Sequence, residues 1–224
     1  MINAKLTGIR REELLRYLGY KGGDLPPELL ADIAACEDAV MNTAQPRAVW
    51  RVFELEPDGS FAGGAFTPEG DDIRALLKPC CKAILMAATL GAEVEALLRR
   101  SQTRDMARAA ILDAAASAAV ENVCDNLCAD LQAHFSPLHL TPRFSPGYGD
   151  FPLSQQAALC QVLDVSRRIG VFLSESGLMI PQKSVTALIG VAARPQESPR
   201  RGCDTCRLAG SCAFRKEGTH CEQA

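Results

Sequence analysis

The sequence contains no apolar run approaching the roughly 20 residues that a membrane-crossing helix needs. It also lacks an excess of positive charge. Lys and Arg number 24 against 27 Asp and Glu, for a formal net charge of −3, so no global electrostatic argument favours nucleic acid as a partner. The start, Met1-Ile2-Asn3-Ala4-Lys5, passes directly into an amphipathic pattern with Arg10, Arg11, Glu12 and Glu13, unlike a signal peptide. A cytoplasmic location is the default expectation. Regular alternation of strand and helix patterns is missing too, which argues against a doubly wound fold.

What the chain does have is enough length, 224 residues, to bury a substantial core, with an ordinary 47% hydrophobic and 23% charged content. It also has ten cysteines. In a cytoplasmic protein these do not read as a disulfide framework. Six are scattered (Cys36, Cys80, Cys81, Cys124, Cys128, Cys160), and four crowd the end (Cys203, Cys206, Cys212, Cys221).

Hydrophobic periodicity predicts helices over 7–18, from about 27 to 40, and over a long stretch from about 103 to 133 whose apolar face is rich in Ala. Thr67 followed by Pro68 reads as the start of another helix carrying Ile73, Leu76 and Leu77. Strand patterns occur at 48–55, at the beginning of 81–91, at 169–173 and at 184–192. A short helix is expected from Ser154 to Leu163. Helices early and hairpin-like strands late point to an α+β fold, a twisted and mainly antiparallel sheet with packed helices. The expected organisation is one domain over 1–193 with a helical N-terminal portion, a Pro- and charge-rich linker at 194–202, and a cysteine-rich tail at 203–224.

Two features carry chemistry. The first is Arg143-Phe144-Ser145-Pro146-Gly147-Tyr148-Gly149-Asp150. An arginine holds a carboxylate with two parallel hydrogen bonds, and the Pro-Gly step forces a turn that brings backbone close to a ligand. Small zwitterionic ligands suit this combination, although Arg143 could equally brace the loop through an ion pair and Tyr148 could simply pack. The second is the tail, Cys203-x2-Cys206-x5-Cys212-x8-Cys221. Four thiolates hold zinc tetrahedrally or carry an iron–sulfur cluster, and so short a segment would draw its folding energy from the metal. The spacing leaves zinc and iron–sulfur both open, and Arg207, Arg215 and Lys216 would offset thiolate charge in either case. Cys124 and Cys128, four apart on the long helix, read as small buried residues rather than a metal pair.

In these residues the chain resembles the activation (reactivation) domain of vitamin B12-dependent methionine synthase, and more closely the free-standing bacterial proteins related to it. Arg143 to Tyr148 fits the family's Arg-x-x-x-Gly-Tyr motif for S-adenosylmethionine, and the likeness continues through 169–176, Met179, Pro181 and the strand from Ser184 to Gly190. The resemblance implies a domain that presents S-adenosylmethionine to cobalamin held by a partner, either methionine synthase or another corrinoid protein. There, one-electron reduction coupled to methyl transfer restores methylcobalamin, so an electron donor is a further implied partner. Arg143 would clamp the ligand carboxylate, backbone around Ser145, Pro146 and Gly147 would contact the ligand, and Tyr148 would pack beside it or bond to it. Glu175 would meet an amine or a ribose, or else cap a turn. No acid–base pair is implied, because the sulfonium is already activated. After Tyr148 the chain departs from the family with Gly149-Asp150-Phe151-Pro152-Leu153, and it has no room for cobalamin, homocysteine and folate modules. Two other roles fit the same residues: a docking module for a corrinoid protein that no longer binds the methyl donor, and an iron–sulfur redox activator of corrinoid methyltransferases.

Overall fold

The computed structural model describes residues 4–20 and 22–196. Three long antiparallel strands form the centre: β1 (Arg47–Glu54), β2 (Cys80–Thr89) and β6 (Ser184–Ala192). A two-residue strand, β3 (His139–Leu140), completes the order β1-β2-β6-β3. A separate hairpin pairs β4 (Phe172–Leu173) with β5 (Met179–Ile180).

Helices cover both faces of this sheet. The first face packs against α5 (Met106–His134), which is itself surrounded by α1 (Arg11–Tyr17), α2 (Pro27–Thr43) and α4 (Ala92–Gln102). The second packs against α3 (Asp71–Leu77), α6 (Gln155–Leu163) and α7 (Val165–Ile169). The strand sequences explain why. In β2, Ile84, Met86 and Ala88 join the first core, while Ala83, Leu85 and Ala87 join the second. Successive side chains point to opposite faces, so a strand that is covered twice must be apolar throughout. That is the origin of the continuous apolar run. Nothing in the described residues forms a helix long and apolar enough to cross a membrane.

The α+β architecture with an antiparallel sheet stands as expected, and β6 is a central strand. Three local expectations are corrected. The helix assigned to Thr67-Pro68 starts at Asp71 instead, with Gly70 at its N-cap. The strand expected over 169–173 is divided: Ile169 closes α7, Gly170 adopts a left-handed conformation, and only Phe172 and Leu173 pair. The long helix begins three residues late, at Met106, where the Asp105 side chain accepts from the Arg108 amide at 3.0 Å. Most of the linker and all four tail cysteines lie outside the described residues.

The alanines of α5 set how closely its neighbours approach. Ala115, Ala116, Ala118 and Ala119 are fully buried. Close packing leaves no room for extra methylenes. Ala116→Leu is expected to lower the unfolding free energy by about 1–3 kcal/mol. Urea unfolding checks this as a reduced midpoint with an unchanged slope.

Candidate functional site

The site is built on an extension of the sheet. Phe144 exchanges both backbone hydrogen bonds with Leu188 of β6, each at 2.9 Å. This pairing fixes the direction of its neighbours, since side chains alternate along extended backbone. Phe144 turns to the second face, where its ring stacks on Phe151 at 6.3 Å. Arg143 therefore turns to the α5 side.

There, Arg143 meets two carboxylates one helical turn apart. Its Nη2 donates to Glu121 at 2.7 Å, and its Nη1 donates to Asp125 at 2.8 Å. Nη1 also contacts Cys128 Sγ at 3.6 Å. Burial pushes the Cys124 and Cys128 thiols up, so both are neutral at ordinary pH and the carboxylates carry the charge pairing. A guanidinium has five N–H donors. Nε and the second Nη2 hydrogen have no hydrogen-bond partner among the described residues. The side chain is 21% exposed, so the arginine is not sealed into the core. Arg10, at the N-cap of α1, donates to the other oxygen of Asp125 at 2.8 Å. The N-terminal helix thus borders the same cluster.

The turn beyond Arg143 is tightly wired. The Gly147 amide donates to the Phe151 carbonyl at 2.8 Å, and the Tyr148 amide to the Ser145 carbonyl at 3.1 Å. Gly147 has φ of 95°, a conformation that glycine adopts without strain. Pro146 is buried, and Tyr148 is 59% exposed with its ring edge-on to Phe144 at 6.4 Å. This tyrosine is presented rather than packed away.

The residues after Tyr148 have a structural task. Asp150 accepts from the amides of Asp71 at 2.7 Å and Asp72 at 3.0 Å, capping the start of α3 from elsewhere in the chain. The Asp150 amide donates back to the Asp72 carboxylate at 3.2 Å. Gly70 lies so close that a Cβ there would come within 2.8 Å of the Asp150 carbonyl oxygen. This reciprocal lock anchors the far end of the turn.

Glu175 lies apart from Arg143, at the tip of the β4–β5 hairpin. The Ser174 hydroxyl closes that tip by accepting from the Leu178 amide at 3.0 Å. Glu175 is exposed and makes no hydrogen bond or ion pair among the described residues. It lines a cavity of about 250 Å³ between the hairpin and α6. Leu153 lines the same cavity and lies 3.7 Å from where a Cβ on Gly147 would be, so the cavity borders the Gly147–Tyr148 turn.

Sequence reasoning missed Glu121 and Asp125. Their signal was available as two carboxylates four apart on an otherwise Ala-rich helix, which places them on one face. No group of His, Cys, Asp and Glu suited to a metal occurs among the described residues.

Fold and site together define a helix-flanked antiparallel α+β domain with an arginine–carboxylate cluster beside a tight glycine turn. No family model and no curated protein sequence matches the chain. Among solved structures it is similar to one described as the MetH reactivation domain bound to AdoHcy. The match has a TM-score of 0.62 and covers 97% of this chain and 86% of that one, at 17% sequence identity. The chain therefore has a reactivation-domain fold over nearly its whole length.

The lock predicts a measurable cost. Asp150→Ala should destabilise the protein by about 1 kcal/mol, with Asp150→Asn recovering part of the loss. Denaturant unfolding of the two variants checks this, and equal stability of Asp150→Ala and the parent protein would contradict the lock.

Proposed function

We propose that this protein binds S-adenosylmethionine and presents it to a corrinoid carried by a separate protein, such as a methionine synthase, in support of reductive methylation. The observation that carries this reading is the Arg143 cluster. A guanidinium with two donors to spare sits between two carboxylates. An amino-acid head group carries the complementary charges. Its carboxylate would bond to Arg143, and its ammonium would fall to Glu121 and Asp125. Such charge-assisted bonds are short and directional, and the guanidinium fork adds geometric selectivity.

The remaining residues of the turn support the same role. Backbone at Ser145, Pro146 and Gly147 would run alongside the ligand, and the exposed Tyr148 ring would lie against it. Glu175 would receive a further polar group of the ligand. The chain's task is positioning, because the sulfonium is itself an activated methyl donor. The corrinoid is the methyl acceptor and arrives on the partner, and the electron comes from an external donor.

Calorimetry with S-adenosylmethionine tests the reading. Arg143→Lys keeps the charge but removes the fork, and should weaken binding roughly 10- to 100-fold. Unchanged affinity would remove Arg143 from the site. Transfer of a labelled methyl group to cobalt of an oxidised corrinoid partner, with a reductant present, tests the role itself.

The tail supports an additional redox or structural part. Cys203, Cys206, Cys212 and Cys221 would hold zinc or an iron–sulfur cluster. If it is a cluster, the tail could pass the reducing electron. Anaerobic purification followed by iron, sulfide and zinc analysis should find one metal centre per chain, and it should be lost when Cys203 and Cys206 are replaced by Ser. Stoichiometric zinc without iron would leave the tail structural.

A further inference from the structure

The outer strand of the sheet, β1, carries an apolar shelf that the fold leaves partly uncovered. Alternation sends Ala48, Trp50 and Val52 to the face that α5 covers. Ala48 and Trp50 pack on that core, whereas Val52 packs on neither core and is 40% exposed. Beside it, the half-buried Trp50 ring meets His134 at 5.8 Å and Phe135 at 6.2 Å, where α5 ends. The indole N–H makes no hydrogen bond among the described residues. Aromatic rings with an aliphatic neighbour and an open N–H donor are the composition of a contact surface.

The chain leaves the sheet close to this shelf. Val52 pairs with Ile84, and Ile84 with Ile189, so Val52 stands level with a residue three positions before the end of β6 at Ala192. Strand spacing and rise put Val52 roughly 14 Å from Ala192. Beyond Gln196, the last described residue, the chain continues for 28 more. The seven steps from Gln196 to Cys203 can span up to about 25 Å, which is ample. Other exposed apolar residues, Phe172, Leu178 and Ile180, ring the hairpin that leads into Ser184, about 27 Å away at the opposite end of β6. The tail itself contains Leu208, between Cys206 and Cys212, and Phe214, just after Cys212. So short a segment has no core in which to hide both, and thiolates gathered on a metal would not cover them.

We infer that the cysteine-rich tail docks on its own domain, with Leu208 and Phe214 seated on the shelf formed by Trp50, Val52 and Phe135. This assignment stands apart from the S-adenosylmethionine reading and from the identity of the tail's metal, since neither enters it. Seated there, the tail covers the open part of an outer strand, a surface that otherwise invites association with other chains. It also lies away from the Arg143 cluster. Asp125 and His134 are nine residues apart on α5, about 14 Å. Arg143 hangs beside β6 and the shelf is on β1, with β2 between them. A metal in the tail would therefore be held at the outer strand, not against the arginine.

Trp50 is the chain's single tryptophan, so its fluorescence reads the shelf directly. In the full chain its emission should be sheltered from acrylamide. Leu208→Asp combined with Phe214→Asp should move the emission to longer wavelength and raise the quenching, while circular dichroism stays unchanged. Photo-cross-linking locates the contact without disturbing the shelf. Phe214→p-benzoylphenylalanine in the otherwise unaltered full chain should cross-link within one chain to peptides covering 47–54 or 131–138. Adding Val52→Asp should abolish that product. Unchanged Trp50 emission and quenching in the Leu208 and Phe214 double variant would overturn the inference. So would absence of the intrachain product, cross-links to the β4–β5 hairpin instead, or cross-links between two chains, which would give the shelf to a second copy's tail.

Discussion

The double-sided burial of the β2–β6 pair is the constraint on which the rest of the molecule depends. These strands match residue for residue from Lys82↔Val191 to Thr89↔Ser184, and their side chains feed two separate cores. A one-residue slip would exchange the two sets of side chains between faces that are packed against different helices. Register is thus fixed from both sides at once. The functional turn inherits that precision, because Phe144 hangs directly on Leu188 at the centre of β6. With Phe144 held against Phe151 on one face, Arg143 has only the α5 face available. The arginine–carboxylate cluster is a consequence of strand alternation next to a fully specified strand.

The electrostatics follow from the same placement. Arg143 is mostly buried against α5, and bringing a guanidinium there without counter-charges would carry a large desolvation cost. Glu121 and Asp125 supply those charges, and Asp125 is in turn shared with Arg10 from the N-terminal helix. Such a cluster has alternating signs and close to zero net charge. A zwitterion entering it adds one charge of each sign, so the cluster can exchange partners without leaving a buried ion uncompensated. An isolated arginine on this surface would bind carboxylates generally. On the proposed reading, the two flanking acids would repel simple anions and favour molecules that also bring an ammonium.

The parts legible in the sequence were those governed by local pattern. The apolar run of β2, the Ala-rich helix and the Arg-x-x-x-Gly-Tyr turn all announce themselves within a dozen residues. What sequence missed was decided by partners far along the chain. The α3 helix begins at Asp71 rather than Thr67 because its cap is Asp150, some eighty positions away, and no local capping signal records this. The segment from Ile169 to Leu173 has strand propensity throughout. Gly170, however, takes a left-handed turn that ends α7, so only the last two residues reach a partner strand. Glu121 and Asp125 share one helix face, but only the pairing of Phe144 with β6 brings Arg143 against them. Glu175 shows the same limit, since only the hairpin's return against α6 sets it beside a cavity.

A ligand-binding turn needs its backbone held, and different sequences can hold it. Here the restraint comes from outside the turn: Asp150 is tied to the first amides of α3, and Gly70 and Gly149 permit the close approach. A side chain on Gly149 would run into the Asp72 carboxylate, and Gly149 also has a positive φ of 51°. The two ends of the turn are therefore fixed by unrelated means, Phe144 by the sheet and Asp150 by a helix terminus, while Gly147 and Tyr148 between them stay exposed. The turn thus has the rigidity that presentation of a ligand would require, without the continuation that the resemblance implies. Such anchoring supports the proposed binding role of the turn over that of a docking surface that has lost its ligand.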